Sequence, residues 1–325
     1  MLPRREFVTL HPVKRPPRLW VIVGPTASGK SALALDLAER NGGEIVNCDS
    51  MQVMRRLRVG TAKPGDEEMA RVPHHLYDVV EPDEEFSAGA YMIRARAVCR
   101  EIAGRDRIPV VVGGTGLYIR ALLEGLFAGP GRREDLRKRL NRLAERYGVE
   151  RLHRLLRRVD PASAERIRRR DQVRIVRALE VYFATGRPIS ELQPSREPLQ
   201  GFRVLKLGLE PPRPDLYDRI NRRVEAMFAG GIQQEVRQLL AQGFPPSARA
   251  FTALGYLQAL AYVLGDSSLE AAVDETQRAT RRYARRQLIW FRKDPQIRWI
   301  RRFGDDPAAV AEAERIIQES GHDAV

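Results

Sequence analysis

One stretch of the chain has the residue types and spacing of a phosphate-binding loop. It reads Gly24-Pro25-Thr26-Ala27-Ser28-Gly29-Lys30-Ser31, a glycine and four free positions followed by Gly-Lys-Ser. In such a loop the backbone N–H groups surround an anion, the lysine reaches the terminal phosphate and the serine hydroxyl binds Mg²⁺. The template predicts that these eight residues bind a di- or triphosphate. The alternative is a chance Gly-Ser turn before a helix.

The segments on both sides of this loop support the prediction. Residues 19–23 form a short apolar run with β-branched side chains at its end, which is typical of a buried parallel strand. Residues 32–39 are strong helix formers. A strand, a loop and a helix in this order direct the positive end of the helix dipole at the bound anion.

A carboxylate follows the next predicted strand, 44–50. Asp49 lies at its polar end and is followed by Ser50, Met51 and Gln52. Ligands of open α/β sheets lie beyond the carboxyl ends of the strands, so we expect Asp49 beside the phosphate loop. The alternative is that Asp49 caps a short helix, a position that Asp and Ser favour.

The predicted strand 108–112 ends in glycines instead of an acidic residue. Nucleotide-hydrolysing proteins of this fold often place a magnesium-binding aspartate at that point. Here the sequence continues Gly113-Gly114-Thr115-Gly116, so a backbone or a ligand can approach closely and Thr115 offers a hydroxyl group.

Two further features of this half of the chain leave alternatives open. Lys63, in a Gly-Thr-Ala-Lys-Pro loop, is either a contact for a phosphate or the RNA backbone, or a solvated turn residue. The adjacent histidines His74 and His75 point in opposite directions on a strand, so a metal site that they share is not expected.

Composition predicts a globular protein with a polyanionic partner. The chain has 325 residues, of which 43% are hydrophobic, and 56 Lys+Arg against 42 Asp+Glu give a net charge of +14. This excess favours nucleic acid, although the codon bias of a GC-rich genome also enriches arginine over lysine. Two cysteines argue against disulfides and cysteine-rich zinc sites. With no apolar run of about 20 residues and no signal-peptide pattern, we expect a cytoplasmic monomer without membrane contact.

The patterning predicts an α/β fold, a P-loop NTPase-like parallel sheet core with a helical insertion domain. The predicted parts are a first core segment 1–128, a helical insertion with a basic surface 129–198, and a second core segment 199–325. Four arginine-rich helices are predicted in the insertion, at 134–146, 149–158, 162–170 and 172–182.

The second core segment is predicted to contain a strand, several helices and a basic C-terminal helix. The strand is placed at 202–209, and Asp215 is expected to cap the helix that follows. The long helix 269–291 interleaves arginines with aromatic residues, which suits RNA. Core packing is the alternative for the aromatic residues and is favoured for Trp290 and Phe291. The tail from Gly304 is expected to be an acidic surface segment.

Five motifs, taken together and in order, resemble the tRNA dimethylallyltransferase family. They are the loop 24–31, Asp49-Ser50-Met51-Gln52, Gly60-Thr61-Ala62-Lys63-Pro64, Gly113-Gly114-Thr115-Gly116-Leu117-Tyr118 and Arg285-Arg286-Gln287-Leu288-Ile289-Trp290-Phe291-Arg292. The resemblance covers about residues 19–300. It implies that a dimethylallyl group passes from dimethylallyl diphosphate to N6 of adenosine 37, next to the tRNA anticodon.

The resemblance also implies roles for individual positions. The phosphate loop would hold the diphosphate with Mg²⁺ on Ser31, and Thr26 would contact the oxygen that bridges diphosphate and allyl carbon. Asp49 would be the general base, Lys30 would neutralise the leaving group, and Arg223 would support it in the transition state. The implied tRNA contacts are Asp49, Ser50, Met51, Gln52, Thr115, Arg137, Gln172, Val173, Arg174, Ile175, Val176 and Arg282.

Two other functions remain as alternatives at this stage. One is a P-loop small-molecule kinase that uses ATP and Asp49 as base. The other is an RNA-binding NTPase without transfer chemistry. A kinase would need an arginine lid over ATP but no basic insertion, and an NTPase switch would carry the strand-end aspartate near Val112 that the sequence lacks.

Overall fold

A six-stranded, fully parallel sheet forms the centre of the fold in the computed structural model, which describes residues 15–127 and 129–322. The strands are β1 (Arg18–Val23), β2 (Gly43–Asn47), β3 (His74–His75), β4 (Ile108–Gly113), β5 (Arg203–Leu209) and β6 (Ile297–Ile300). Their order is β3-β2-β4-β1-β5-β6, with β4 and β5 on either side of β1. The predicted α/β fold with a parallel P-loop NTPase-like sheet is confirmed. This order places the carboxyl ends of β1, β2 and β4 along one edge.

The first four helices lie between these strands. They are α1 (Lys30–Asn41), α2 (Asp66–Arg71), α3 (Ala88–Gly104) and α4 (Gly116–Glu124). α1 buries Leu33 and Leu37 against the sheet because these residues lie one turn apart on one face. α3 begins after Ser87, whose Oγ accepts a hydrogen bond from the Ala90 N–H at 3.1 Å.

The chain divides into two units, Met1–Ile119 with Gln200–Val325, and Arg120–Leu199. The second, called the helical unit here, contains α5 (Glu134–Tyr147), α6 (Val149–Val159), α7 (Pro161–Arg166), α8 (Gln172–Thr185) and α9 (Ile189–Leu192). Its core is formed by apolar side chains such as Leu140, Leu156 and Leu179. The four helices predicted here are present, but α7 ends at Arg166 because Ile167 has an extended backbone.

The helices after β5 belong to the sheet-containing unit. They are α10 (Arg213–Ala229), α11 (Ile232–Ala241), α12 (Tyr256–Val263), α13 (Leu269–Phe291) and α14 (Pro307–His322), with a 3-10 turn at Arg249–Thr252. The prediction that Asp215 caps α10 is wrong. Pro212 is the cap and Asp215 lies in the first turn, because Pro214 fixes a helical φ one residue earlier.

The C-terminal tail is not the surface segment that its acidic composition predicted. α14 packs Ala309, Val310, Ala313, Ile316 and Ile317 into the same core cluster as α1. These residues recur at helical spacing, which was a usable signal in the sequence. Of the helices that the structure describes, none has both the length and the hydropathy needed to cross a bilayer.

We predict that Gly113→Ala destabilises the protein, because strand β4 passes very close to the chain after β2. A Cβ at Gly113 would lie 2.1 Å from the carbonyl oxygen of Cys48, a backbone atom that cannot move away locally. The expected loss is about 2–3 kcal/mol of unfolding free energy, measured by urea denaturation.

Gly104→Ala is the matched control. A Cβ at Gly104, near the end of α3, would meet no atom within 4 Å. This variant should be neutral or slightly more stable, since alanine favours helix more than glycine does. Equal stability of the two variants would contradict the packing argument.

Candidate active site

The predicted phosphate loop joins the end of β1 to the start of α1. Gly29 is the residue before α1 and has a φ of 81°, a left-handed conformation that glycine adopts without strain. A Cβ at Gly29 would lie 2.6 Å from Asp305 Oδ1, so the position also excludes a side chain. Because no side chain caps α1, the N–H groups of its first turn remain available to an anion.

Two partly buried cationic side chains lie at this loop. Lys30 Nζ donates to the Pro25 carbonyl oxygen at 3.3 Å, and Arg223 Nη1 of α10 donates to Thr26 Oγ1 at 3.3 Å. Burial lowers the pKa of Lys30 to about 8, an effect that Asp49 opposes and Arg223 reinforces. Burial also lowers the pKa of Arg223, again against the influence of Asp49.

These three groups leave the pocket with an excess of positive charge. Lys30 and Arg223 carry two positive charges, and Asp49 is the carboxylate whose charge acts on both. Buried charge is unfavourable unless it is compensated, so the arrangement favours a bound anion. Together with the uncapped start of α1, it fits the di- or triphosphate site that the sequence predicts.

Asp49 lies directly after β2, at the carboxyl edge of the sheet. Its Oδ1 accepts hydrogen bonds from the N–H groups of Met51 at 2.8 Å and Gln52 at 3.4 Å. The residues that follow form a turn, so the alternative in which Asp49 caps a short helix is wrong. No hydrogen bond to Oδ2 is found within the described residues. Asn47 Oδ1 accepts from the Asp49 N–H at 3.0 Å and fixes the turn. Asp49 is therefore held rigidly with one oxygen available to a substrate.

The end of β4 supports the turn that carries Asp49. Thr115 Oγ1 accepts a hydrogen bond from the Ser50 N–H at 3.0 Å and lies 3.4 Å from Ser50 Oγ. The Thr115 N–H donates to the carbonyl oxygen of Cys48 at 3.2 Å. The structure thus brings Thr115 to Asp49, as the sequence predicted, and assigns its hydroxyl to positioning the turn.

The loop that contains Lys63 contributes an internal ion pair. The Lys63 side chain is only 5% exposed, and its Nζ donates to Asp78 Oδ1 at 2.7 Å and to the carbonyl oxygen of Met54. Burial lowers the pKa of Lys63. Both alternatives from the sequence are wrong, since the ammonium is neither solvated nor open to a phosphate.

The histidines at β3 bind different partners. His75 Nε2 lies 2.7 Å from Glu44 Oε2, whereas His74 Nδ1 lies 2.8 Å from the carbonyl oxygen of Val72. Within residues 15–127 and 129–322, no group of three or more His, Cys, Asp or Glu side chains is arranged to hold a metal ion.

The donor atoms near the loop fit a magnesium ion that arrives with a phosphate. Ser31 is exposed at the start of α1 and offers a hydroxyl oxygen beside the phosphate loop. Hydroxyl and carboxylate oxygens are ligands that Mg²⁺ prefers, and it commonly takes the remainder from substrate phosphates and water. Ser31 would therefore hold the ion only together with a bound diphosphate.

The sequence did not identify Gln287 as a site residue, although it lies in a quoted motif. Its buried side chain in α13 accepts a hydrogen bond from the Thr26 N–H at 2.8 Å and donates one to the Gly114 carbonyl oxygen at 2.9 Å. It therefore joins the phosphate loop to the end of β4. The available signal was an uncharged polar residue among the arginines and apolar residues of 285–292.

The predicted tRNA contacts at the start of α8 differ in accessibility. Val173 is 76% exposed and the Arg174 side chain is 65% exposed. Gln172 Nε2 donates to Asn141 Oδ1 at 3.1 Å. Ile175 and Val176 are 0% and 4% exposed in the core of the helical unit, so their side chains are removed from the proposed contact surface.

Arg137 is held by a buried carboxylate within the helical unit. Its Nε and Nη2 donate to the two oxygens of Glu180 at 2.9 and 3.0 Å, and Arg177 Nη1 donates to the same group at 2.7 Å. Burial alone would raise the pKa of Glu180, but the hydrogen bonds from Arg137, the Arg133 N–H and Arg177 outweigh it and lower the pKa to about 2. Two guanidinium groups on one carboxylate leave a positive charge at this position.

The arginines of α13 lie on its exposed side, whereas its aromatic residues pack inward. Arg282 Nη2 donates to Glu275 Oε1 at 2.6 Å and remains exposed. Phe291 is buried, and Trp290 lies against Gly116, where a Cβ would approach its Nε1 to 2.2 Å. The core alternative therefore holds for these aromatic residues, and Arg282 stays a predicted tRNA contact.

Comparison with known proteins identifies the family. The family profile described as "IPP transferase" matches residues 52–294, and one described as "Isopentenyl transferase" matches residues 17–77. A tRNA dimethylallyltransferase of Koribacter versatilis is 51% identical over 305 residues, which cover 94% of this chain and 99% of the relative. One of Geobacter sulfurreducens is 51% identical over 284 residues, covering 87% and 91% of the two chains.

Solved structures show the same relationship. The tRNA isopentenylpyrophosphate transferase of Bacillus halodurans is 38% identical with a TM-score of 0.69, covering 93% of this chain and 96% of its own. A eukaryotic dimethylallyltransferase acting on tRNA is 26% identical with a TM-score of 0.76, covering 93% of this chain and 80% of its own.

We predict that pyrophosphate binding weakens as the pH rises through about 8, the lowered pKa of Lys30. Below this pH Lys30 is protonated and attracts the anion, and above it the neutral amine does not. Loss of one required proton makes the dissociation constant rise up to about tenfold per pH unit. The dissociation constant is measured by isothermal titration calorimetry from about pH 6.5 to about pH 9.5.

Lys30→Met is the control for the change in protonation of pyrophosphate itself over the same pH range. This variant should bind more weakly throughout and lose the part of the pH dependence that belongs to Lys30. If wild type and Lys30→Met show the same pH dependence, Lys30 is not the titrating group.

Proposed function

Because the chain belongs to the IPP transferase family, we propose that it transfers the dimethylallyl group of dimethylallyl diphosphate to N6 of adenosine 37 in tRNA. The product is N6-isopentenyladenosine next to the anticodon. One observation carries this proposal: the partly buried, positively charged site of Lys30 and Arg223 lies close enough to Asp49 for its charge to act on both, and one oxygen of Asp49 has no hydrogen bond within the described residues. Membership of this family decides against the kinase and NTPase alternatives.

The diphosphate of the donor binds at the start of α1. The N–H groups of the first helical turn donate to its oxygens, and Lys30 and Arg223 stabilise the negative charge that develops as it leaves. Thr26 Oγ1, which lies 3.3 Å from Arg223 Nη1, is proposed to contact the oxygen that bridges the diphosphate and the allyl carbon. Mg²⁺ held by Ser31 would add positive charge to the same leaving group.

Asp49 acts on the acceptor. The exocyclic amine of adenine is a weak nucleophile, and it must lose a proton as its bond to the allyl carbon forms and the carbon–oxygen bond breaks. A fixed carboxylate within hydrogen-bond reach accepts that proton. Because Oδ1 is occupied by the N–H groups of Met51 and Gln52, Oδ2 is the atom proposed to receive it.

The acceptor base must leave its stack to reach this pocket, as bases do in enzymes that modify them. Ser50, Met51, Gln52 and Thr115 surround Asp49 and are proposed to contact the extruded adenosine. Gln172, Val173 and Arg174 of the helical unit, its Arg137, and Arg282 of α13 are proposed contacts for the anticodon stem-loop. A monomer in the cytoplasm, where tRNA is modified, is the proposed working form.

We expect purified protein with labelled dimethylallyl diphosphate to label tRNA and to leave ATP unconsumed. Asp49→Asn keeps the acceptor for the Met51 N–H but removes the base, so the rate should fall by about 10²–10⁴-fold. Binding of tRNA, measured by filter retention, should stay within a few-fold of wild type.

Asp66→Asn, on exposed α2, is the charge-matched control and should react like wild type. Transfer by Asp49→Asn near the control rate would refute the role of Asp49. Consumption of ATP without prenylated tRNA would refute the proposed function.

Reversing the charge of Arg174 or Arg282 should weaken tRNA binding. Both side chains are exposed, and a lost phosphate contact reduces the dependence of log K on log salt by about one unit or less. Arg174→Glu and Arg282→Glu are compared over a salt series. Arg315→Glu on α14, also exposed, is the control for net charge alone. A salt slope equal to that of the control would show that the arginine does not contact RNA.

A further inference from the structure

We propose that Gln287 is a positioning residue for the transfer reaction and acts through the backbone of Thr26. This inference rests on the proposed function, because Thr26 matters only if its hydroxyl meets the bridging oxygen of the donor. The two residues are 261 positions apart in the chain, yet Gln287 Oε1 accepts a hydrogen bond from the Thr26 N–H at 2.8 Å.

Both polar atoms of the Gln287 side-chain amide have a hydrogen-bond partner. Oε1 binds the Thr26 N–H, and Nε2 donates to the Gly114 carbonyl oxygen at 2.9 Å. Burying an amide without hydrogen-bond partners costs free energy. The two hydrogen bonds avoid this cost and hold the amide in place at both ends. Gly114 leaves room for it, since a Cβ there would lie 2.0 Å from Gln287 Nε2.

Thr26 is fixed from two sides. Gln287 takes its N–H, which is therefore not one of the donors to the diphosphate, and Arg223 Nη1 approaches its Oγ1 at 3.3 Å. Rotation of the Thr26 peptide would move Oγ1 away from the oxygen that must leave. Misplacement of a reacting group by about 1 Å can cost about 10²-fold in rate.

The other end of the amide reaches the acceptor side of the site. Gly114 precedes Thr115, whose Oγ1 accepts from the Ser50 N–H at 3.0 Å next to Asp49. Gln287 therefore lies between the group that activates the donor and the turn that holds the base. Its effect is expected on the rate of transfer more than on the affinity for either substrate.

The test compares Gln287→Met with Gln277→Met. Methionine keeps the approximate length of glutamine and removes both hydrogen bonds. Gln277 lies on the same helix and also donates through Nε2, at 3.1 Å to Glu225 Oε1, without touching the phosphate loop. Measurements are kcat and KM for dimethylallyl diphosphate and tRNA, the dissociation constant for pyrophosphate, and the thermal unfolding midpoint.

Gln287→Met should lower kcat by about 10–100-fold with both KM values within about threefold, whereas Gln277→Met should match wild type. Combining Gln287→Met with Thr26→Ala separates positioning from general destabilisation. If Gln287 acts through Thr26, the double variant is no slower than Thr26→Ala alone. Multiplied rate losses, or a kcat of Gln287→Met equal to that of Gln277→Met, would overturn the proposal.

Gln287→Leu keeps the test open if Gln287→Met does not fold. It removes both hydrogen bonds without adding a charge, so kcat should fall by about 10–100-fold and the double variant with Thr26→Ala should be no slower than Thr26→Ala alone. Multiplied rate losses, or a kcat equal to that of Gln277→Met, would overturn the proposal. Failure of the wild-type protein to prenylate tRNA would refute the proposed function instead.

Discussion

Positive charge held away from water is the constraint on which the site depends. Lys30 and Arg223 lie partly buried at the phosphate loop, and burial lowers the pKa of both despite the presence of Asp49. The uncapped start of α1 adds the positive end of a helix dipole. An anion compensates all three features at once, which explains why a loop otherwise used for nucleotides suits a diphosphate leaving group. In place of the magnesium-binding aspartate of nucleotide-hydrolysing proteins, the chain has glycines and Thr115 at the end of β4 and offers no carboxylate there.

The end of β4 shows what replaces that carboxylate. Gly113 admits the carbonyl oxygen of Cys48, Gly114 admits the amide of Gln287, and Thr115 holds the Ser50 N–H. The strand end therefore serves as a frame between the phosphate loop and Asp49. A side chain at either glycine would separate parts that must lie within hydrogen-bond distance.

The sequence predicted the elements whose signals are local. The strands and helices around the phosphate loop, the parallel sheet, and the family follow from short motifs and their spacing, and all are confirmed. The errors have physical causes. The prediction for Lys63 rested on its loop and left out Asp78, fifteen residues away, with which it forms an ion pair. The prediction for the tail from Gly304 rested on its charge and left out the apolar face of α14. At α8, the family resemblance did not reveal that Ile175 and Val176 face the core.

The sequence alone determined the chemistry that the chain can carry: a loop for phosphate, a carboxylate at a strand end, and a basic surface. Only the tertiary structure decided how these groups are held. The hydrogen bond between Gln287 and Thr26 spans 261 positions, and that between Arg223 and Thr26 spans 197. No periodicity or composition specifies such partners, because they are selected by the packing of α10 and α13 beside the sheet and not by neighbouring residues.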